Sequence, residues 1–273
     1  MEDFMEESIY DFDELKMYFG EDYWVTDKIC IKQPTIGDIL EFGDTKFYSM
    51  LNLFCANPTY LRLQLWKMGT DWNTISDFEL FAKFIIYKFT SKDTYLLFGD
   101  LNFSWFKYVH DSKKDCNILV YIPQDESGNL IPINYEEAIV IDEFIYKKII
   151  KYLCIMFNLH FKVEHAKNKA TKEAMIWEDE MNLNAELQKK EKRDIPKSFL
   201  LPLISSMVNH PGFKYKTSEL KQIGIFQFMD SVQRLQIYES THALLGGIYS
   251  GFCDTSKIDK DEFNFMRDIR NKN

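Results

Sequence analysis

Residues Thr217 to Gly251, TSELKQIGIFQFMDSVQRLQIYESTHALLGGIYSG, limit what this chain can fold into more than any other stretch does. They read as one long helix between a capping residue and a glycine stop. Phe228, Val232, Leu235, Tyr238, His242, Leu245 and Tyr249 follow at steps of three and four, the spacing that lines one face of a 3.6-residue helix. Ile225, Met229 and Leu244 widen that stripe beyond a coiled-coil seam, so it is expected to lie in a globular core. His242, alone in the stripe, is expected to be a hydrogen-bonded core residue.

Such a helix needs a body to pack against, and 273 residues with 46% hydrophobic and 16% aromatic content can supply one. Two domains are expected at this length. The formal net charge of −9 is unevenly spread: residues 1–23 hold nine acids against Lys16, so nearly all of the excess sits there. Beyond the mixed KKEKR at Lys189 to Arg193 no basic stripe is present to neutralise phosphates, which argues against a nucleic-acid partner. Cys30, Cys55, Cys116, Cys154 and Cys253 are widely spaced and form no C-x-x-C pair, so they read as reduced thiols of a cytoplasmic protein. The acidic first residues do not resemble a secretory signal, and no run of eighteen apolar residues occurs. A soluble chain with no membrane partner is expected.

In order, residues 1–23 form an acidic arm, expected to be a frayed tail because its like charges repel in any compact form. A strand is expected around Lys28 to Lys32, ended before Pro34, and helices over 36–42, 47–54 and 60–68. Ser76 with Glu79 has the spacing of a capping box, predicting a helix through Phe81, Phe84, Ile85 and Phe89. Strands are expected over 103–109, 118–122, 130–133 and 138–141, with a turn at Asp125 to Asn129. Asp142 is placed to cap a helix whose inner face is Ile145, Ile149, Leu153 and Met156. Residues 163–193 balance seven acids with seven bases around a thin line of Ala166, Ala170, Ala174, Trp177 and Met181. That pattern suits a solvated helix with one narrow seam, or a connector. A short apolar helix over 198–208 precedes the long one, and Asp259 with Glu262 announces a final short helix. The fold class expected is α+β, mainly α. An N-terminal α+β domain with a small antiparallel sheet (24–141) is followed by a helical domain (142–273) that includes the charged helix or connector at 163–194.

No catalytic pattern emerges. His160, Glu164 and His165 form H-x-x-x-E-H, but histidines five apart stand roughly 140° apart on a helix and cannot share a metal. No G-x-G-x-x-G or Gly-Lys-Ser/Thr phosphate loop occurs. Gly246 to Gly251 lacks the centred serine of a nucleophile elbow, and its glycines are expected to allow close packing or a kink, with Gly251 as the left-handed stop. Asp254, Asp259, Asp261 and Glu262 lack the glycine of a calcium loop, and Asp71, Asp77 and Glu79 are better explained by caps. Catalytic, cofactor and metal residues are therefore expected to be none, and the chain is expected not to be an enzyme.

Two segments carry a resemblance: ICIKQPTIGDILEFGDTKFYSMLNLFCANPTYLRLQLWKMGTDWNTISDFELF (29–81) and SFLLPLISSMVNHPGFKYKTSELKQIGIFQFMDSVQRLQIYESTHALLGGIYSGFCDTSKIDKDEFNFMRDI (198–269), with Val163 to Lys169 between them. Together they resemble an uncharacterised group of phage and prophage proteins of low-GC Gram-positive bacteria, carried with tail structural genes. The resemblance implies a tail assembly chaperone, a non-enzymatic protein of the host cytoplasm that binds the tape measure protein and recruits tail tube subunits. The alternative is a structural component of the virion, a connector or baseplate part. The partner is then expected to lie along the narrow seam, on Ala170, Ala174, Trp177 and Met181, with Trp177 as anchor.

Overall fold

The computed structural model describes residues 9, 11–112, 114–125, 129–131, 138–191, 197–251 and 258–269. The fold is α+β and mainly α, with two small antiparallel sheets in the first half. In chain order come α1 (Glu14–Tyr18), β1 (Tyr23–Trp24), β2 (Cys30–Ile31), α2 (Ile36–Phe42), α3 (Asp44–Phe54), α4 (Arg62–Lys67), α5 (Asp77–Leu80) and α6 (Ser91–Phe98). Strands β3 (Phe106–Asp111), β4 (Cys116–Tyr121) and β5 (Val140–Ile141) follow, and then α7 (Glu143–Met156), α8 (Lys169–Glu191), α9 (Leu200–Asn209) and α10 (Ile225–Tyr249).

Local chemistry sets most of these boundaries. Thr35 and Asp38 close a capping box at the start of α2, the Asp38 amide donating to the Thr35 hydroxyl at 3.1 Å while Asp38 accepts from the Thr35 amide at 2.8 Å. At α5 only half of the expected box forms. The Ser76 hydroxyl accepts from the Glu79 amide at 3.1 Å, but the Glu79 carboxylate turns to Lys83. The helix expected to run on to Phe89 is broken: Phe81–Ile85 widens into a π turn, Ile86–Lys88 tightens into a 3₁₀ turn, and Phe89 is extended. A new helix, α6, starts from a second box, Thr90 with Asp93, which the sequence reading missed. The broken path seats Phe81, Phe89, Phe98 and Phe103 around Phe54, with ring centroids 5.0–5.4 Å away, and their burial outweighs an unbroken helical ladder.

In the sheet, β3 and β4 pair from Phe106 opposite Tyr121 to Asp111 opposite Cys116, and β5 adds Leu119 opposite Ile141. Residues 103–105, expected to be strand, form a 3₁₀ turn, because the Asn102 carboxamide captures the Ser104 amide at 3.2 Å. Of the strand expected at 130–133, Leu130 makes one antiparallel bridge to Gln124, and 132–133 lie outside the described residues. Helix α7 is capped by Asp142 as expected, its carboxylate accepting from the Ile145 amide at 2.8 Å. Its buried face is Tyr146, Ile149, Tyr152, Leu153 and Met156.

The acidic arm is not a frayed tail over its described part. Met17 of α1 is buried, and Phe12 sits edge-on between Tyr23 at 5.6 Å and Tyr152 at 5.2 Å. Asp11 accepts from both the Tyr23 hydroxyl and the Lys148 ammonium, so one arm acid has a cation to meet. The expected repulsion is overcome by a local ion pair and aromatic burial.

The long helix also departs from expectation. It starts at Ile225, because Glu219 caps the turn before it by accepting from the Lys216 amide at 2.8 Å, and Leu220–Gln222 is 3₁₀. Residues 223–225 then clasp residues 34–36 across the molecule: Ile36 donates to the Ile223 carbonyl and Ile225 to the Pro34 carbonyl, each at 3.0 Å. The approach is so close that a Cβ on Gly37 would lie 2.7 Å from the Lys221 carbonyl oxygen. The expected core stripe is buried only at its start, at Ile225, Phe226, Phe228 and Met229. Val232 and Leu235 are half-buried, Tyr238 is 39% and Tyr249 87% exposed, and His242 is an exposed residue whose ring lies tilted against Tyr238 at 4.2 Å rather than a core histidine. The body ends before the helix does. What crosses the later part of α10 is residues 258–269, held by polar bonds: Thr241 donates to the Glu262 carbonyl at 3.0 Å and Arg234 to the Arg267 carbonyl at 2.6 Å. Gly251 stops the helix with φ +76°, whereas a Cβ at Gly246 would meet open space, so close packing does not explain that glycine.

One apolar core includes Phe47, Phe54 and Phe103 from the first half and Leu153, Leu200, Ile225 and Phe228 from the second. It therefore crosses the boundary expected between residues 141 and 142.

Candidate interaction surface

Helix α8 is docked on one side and bare on the other. Its N-terminus is capped by Asn168, whose carboxamide accepts from the Thr171 amide at 2.9 Å. Just before it, residues 162–166 run as an extended strap over side chains of the first half. Asn57 donates to the Lys162 carbonyl at 2.9 Å, the Thr59 hydroxyl accepts from the Glu164 amide at 3.0 Å, and Asn73 brackets Ala166 by donating at 2.7 Å and accepting at 3.2 Å. Ala166 is thus a buried strap residue and not the first member of the helical seam.

Arg62 of α4 does most of the fastening. Its guanidinium holds Asp179 by two bonds, at 2.5 and 2.7 Å, and Glu164 of the strap by a third at 2.5 Å. A planar fork with five donors can grip one carboxylate with two parallel bonds and still bond a second, a geometry that lysine's single nitrogen does not offer. Lys172 pairs with Asp71 and lies over the Trp72 ring at 5.7 Å, and the hydrogen bond from Lys172 is the main reason the Asp71 carboxyl titrates below its ordinary value. Ile176 is the buried apolar contact and Met175 is half-buried beside it.

The expected partner residues lie on the other side. At 100° per residue, Ala170, Ala174, Trp177 and Met181 centre roughly 160° from the line through Lys172, Ile176 and Asp179. Ala170 and Ala174 are exposed, Trp177 is 64% and Met181 52% exposed. From Met181 to Gln188 every side chain is exposed, so the second half of the helix is packed less closely than the first. The anchors Arg62, Asn57, Thr59, Asn73 and Lys172 were missed from sequence, since each acts on a residue about a hundred positions away. The one local signal was an arginine in a chain whose cations are mostly lysine.

A groove of about 760 Å³ runs along the inner flank of α8, but Arg62 within it is already spent on Asp179 and Glu164. His160 bonds Asn158 at 2.9 Å, and neither it nor His165 lies in a helix. Asp71 pairs with Lys172 and Glu79 with Lys83. Burial pushes the carboxyl of Asp77 up, against Lys147 and with Glu143. Asp259 caps a 3₁₀ turn at Lys260–Phe263, and Asp254 lies outside the described residues. Among the described residues no group of three or more His, Cys, Asp or Glu is placed to hold a metal, and no helix is long and apolar enough to cross a membrane.

Comparison with known families adds one finding. Residues 189–270 match the family described as the YomV second domain. That family carries the name of a Bacillus prophage gene. The match takes in α9, α10 and the 258–269 segment, and it starts in the last turn of α8, so the exposed seam at 170–181 lies outside it. No curated protein and no solved structure matches the chain.

Proposed function

We propose that this chain is a non-enzymatic interaction protein of phage tail morphogenesis, a tail assembly chaperone that holds the helical tape measure protein along the outer face of α8 in the host cytoplasm. The observation that carries the reading is the seam of Ala170, Ala174, Trp177 and Met181, left bare on a helix whose other face is fastened by Arg62 and Lys172. Alanines let a second helix approach closely, and a large aromatic flanked by methionine is the composition that dominates the energetics of such contacts. Charges of both signs beside the seam favour a partner helix with its own mixed charges over a phosphate backbone. The prophage name of the family matched by 189–270 supports the phage setting.

The test is co-expression with the tape measure protein of the same tail module. The tape measure should stay in solution and co-purify with this chain, and Trp177→Ala with Met181→Ala should abolish both. A tape measure that is equally insoluble with and without the chain contradicts the chaperone reading. Co-sedimentation of the chain with finished virions would replace it with the structural alternative.

A further inference from the structure

Two of the cysteines lie side by side. Cys55 is the C-cap of α3 and Cys154 belongs to the last turn of α7, and both line one cavity of about 400 Å³ whose walls include Asp77, Tyr146, Lys147 and Lys151. Both are free thiols. Their settings differ in the way a dithiol needs for exchange. Cys55 is 2% exposed, while Cys154 is partly exposed to the cavity. Hydrogen bonding from Cys55 lowers the pKa of Cys154 and outweighs the effect of burial, with the Lys151 ammonium adding to the lowering. Burial, and then the same hydrogen bond, raise Cys55. A partly exposed thiol at the cavity and a buried one behind it are placed as the two halves of a thiol–disulfide exchange site.

We propose that Cys154 and Cys55 form a redox-active dithiol that exchanges with a small peptide disulfide of the glutathione class. The Cys154 thiolate attacks one sulfur of the disulfide, forming a mixed disulfide and releasing one thiolate, which takes up the proton that Cys154 gave to solvent. The Cys55 sulfur, losing its own proton, then attacks Cys154 and releases the second thiol. The protein loses two electrons and two protons, and the small disulfide is reduced to two thiols. Lys151 brings positive charge to the cavity wall beside Cys154, where a carboxylate of such a peptide would lie, while Lys147 on the same wall is held by Glu143 at 2.9 Å. The bond formed would join α3 to α7.

The experiment takes the full chain through graded ratios of reduced to oxidised glutathione, followed by acid quenching, alkylation and peptide mass mapping. Cys55 and Cys154 should lose alkylation together and appear as one cross-linked peptide pair. Cys55→Ala should accumulate glutathione on Cys154, and Cys154→Ser should leave Cys55 unmodified. Cys154 should react about tenfold or more faster than Cys30, whose thiol burial pushes up. That rate comparison is made on the unmodified chain and so decides the matter even if Cys55→Ala fails to fold. Cys55 and Cys154 remaining alkylatable in oxidised glutathione, or Cys30 reacting as fast as Cys154, would overturn the proposal.

Discussion

Asp44 opens α3 and also caps α9 from the far end of the chain. Its carboxylate accepts from the Ser198 hydroxyl at 2.6 Å and from the amides of Phe199 and Leu200 at 2.8 and 3.0 Å. Burial raises its pKa, but these hydrogen bonds prevail and hold it below the ordinary carboxylate value. Asp44→Ala should cost about 1–2 kcal/mol in urea unfolding at neutral pH, the usual loss of a cap. Because the folded pKa is depressed, the contribution is complete above the unfolded value of about 4 and disappears as pH falls through the folded value. The stability gap between wild type and Asp44→Ala should therefore close on acidification below about pH 4, and a gap that is constant with pH would refute this role. Two glycines make a second contrast. Gly37→Ala forces a Cβ onto the Lys221 carbonyl and should destabilise by about 1–3 kcal/mol. Gly246→Ala, in open helix, should stabilise by about 0.5–1 kcal/mol. Thermal melts of the two variants should move in opposite directions.

At the scale of elements, what sequence reading recovered was what neighbouring residues decide. Helix α2, α7 with Asp142 as its cap, and the strands β3 and β4 are set by periodicity and caps within a few residues, although the Thr35–Asp38 box went unread. What it missed depends on partners far away. The helix after Ser76 breaks so that four rings can surround Phe54, and α10 starts late because 223–225 clasp 34–36. The stripe on α10 has the right period, yet periodicity says which side is apolar and not how far the body beneath it extends. Accordingly Phe228→Ala should cost about 3–5 kcal/mol, Val232→Ala clearly less, and Tyr249→Ala almost nothing. The seam on α8 was legible as an apolar line too narrow to bury, and it is bare, but the residues that fasten the other face could not be read from it. Its exposure follows from Arg62 and Lys172 choosing the opposite face. Arg62→Ala should raise amide exchange across residues 169–180 while leaving α7 protected, since α8 loses both bonds to Asp179 and α7 loses none.

For the whole molecule, a core that includes Phe47 and Phe54 together with Ile225 and Phe228, locked by a backbone clasp, predicts one cooperative unfolding transition for these segments. Calorimetry resolving two transitions would mean the halves fold apart. The free second half of α8 stands outside that cooperative unit, which suits a surface that engages another chain. The central claim is that the bare side of α8 is where the partner docks. Its most direct measurement is calorimetric titration of the tape measure protein, or of its helical segments, into wild type and into the Trp177→Ala, Met181→Ala double variant, with melting recorded for both. The account predicts unchanged melting, within about 0.5 kcal/mol for exposed positions, together with an affinity lower by at least about tenfold, or 1.4 kcal/mol. Equal affinity for the two proteins, or a large loss of stability in the variant, would contradict it.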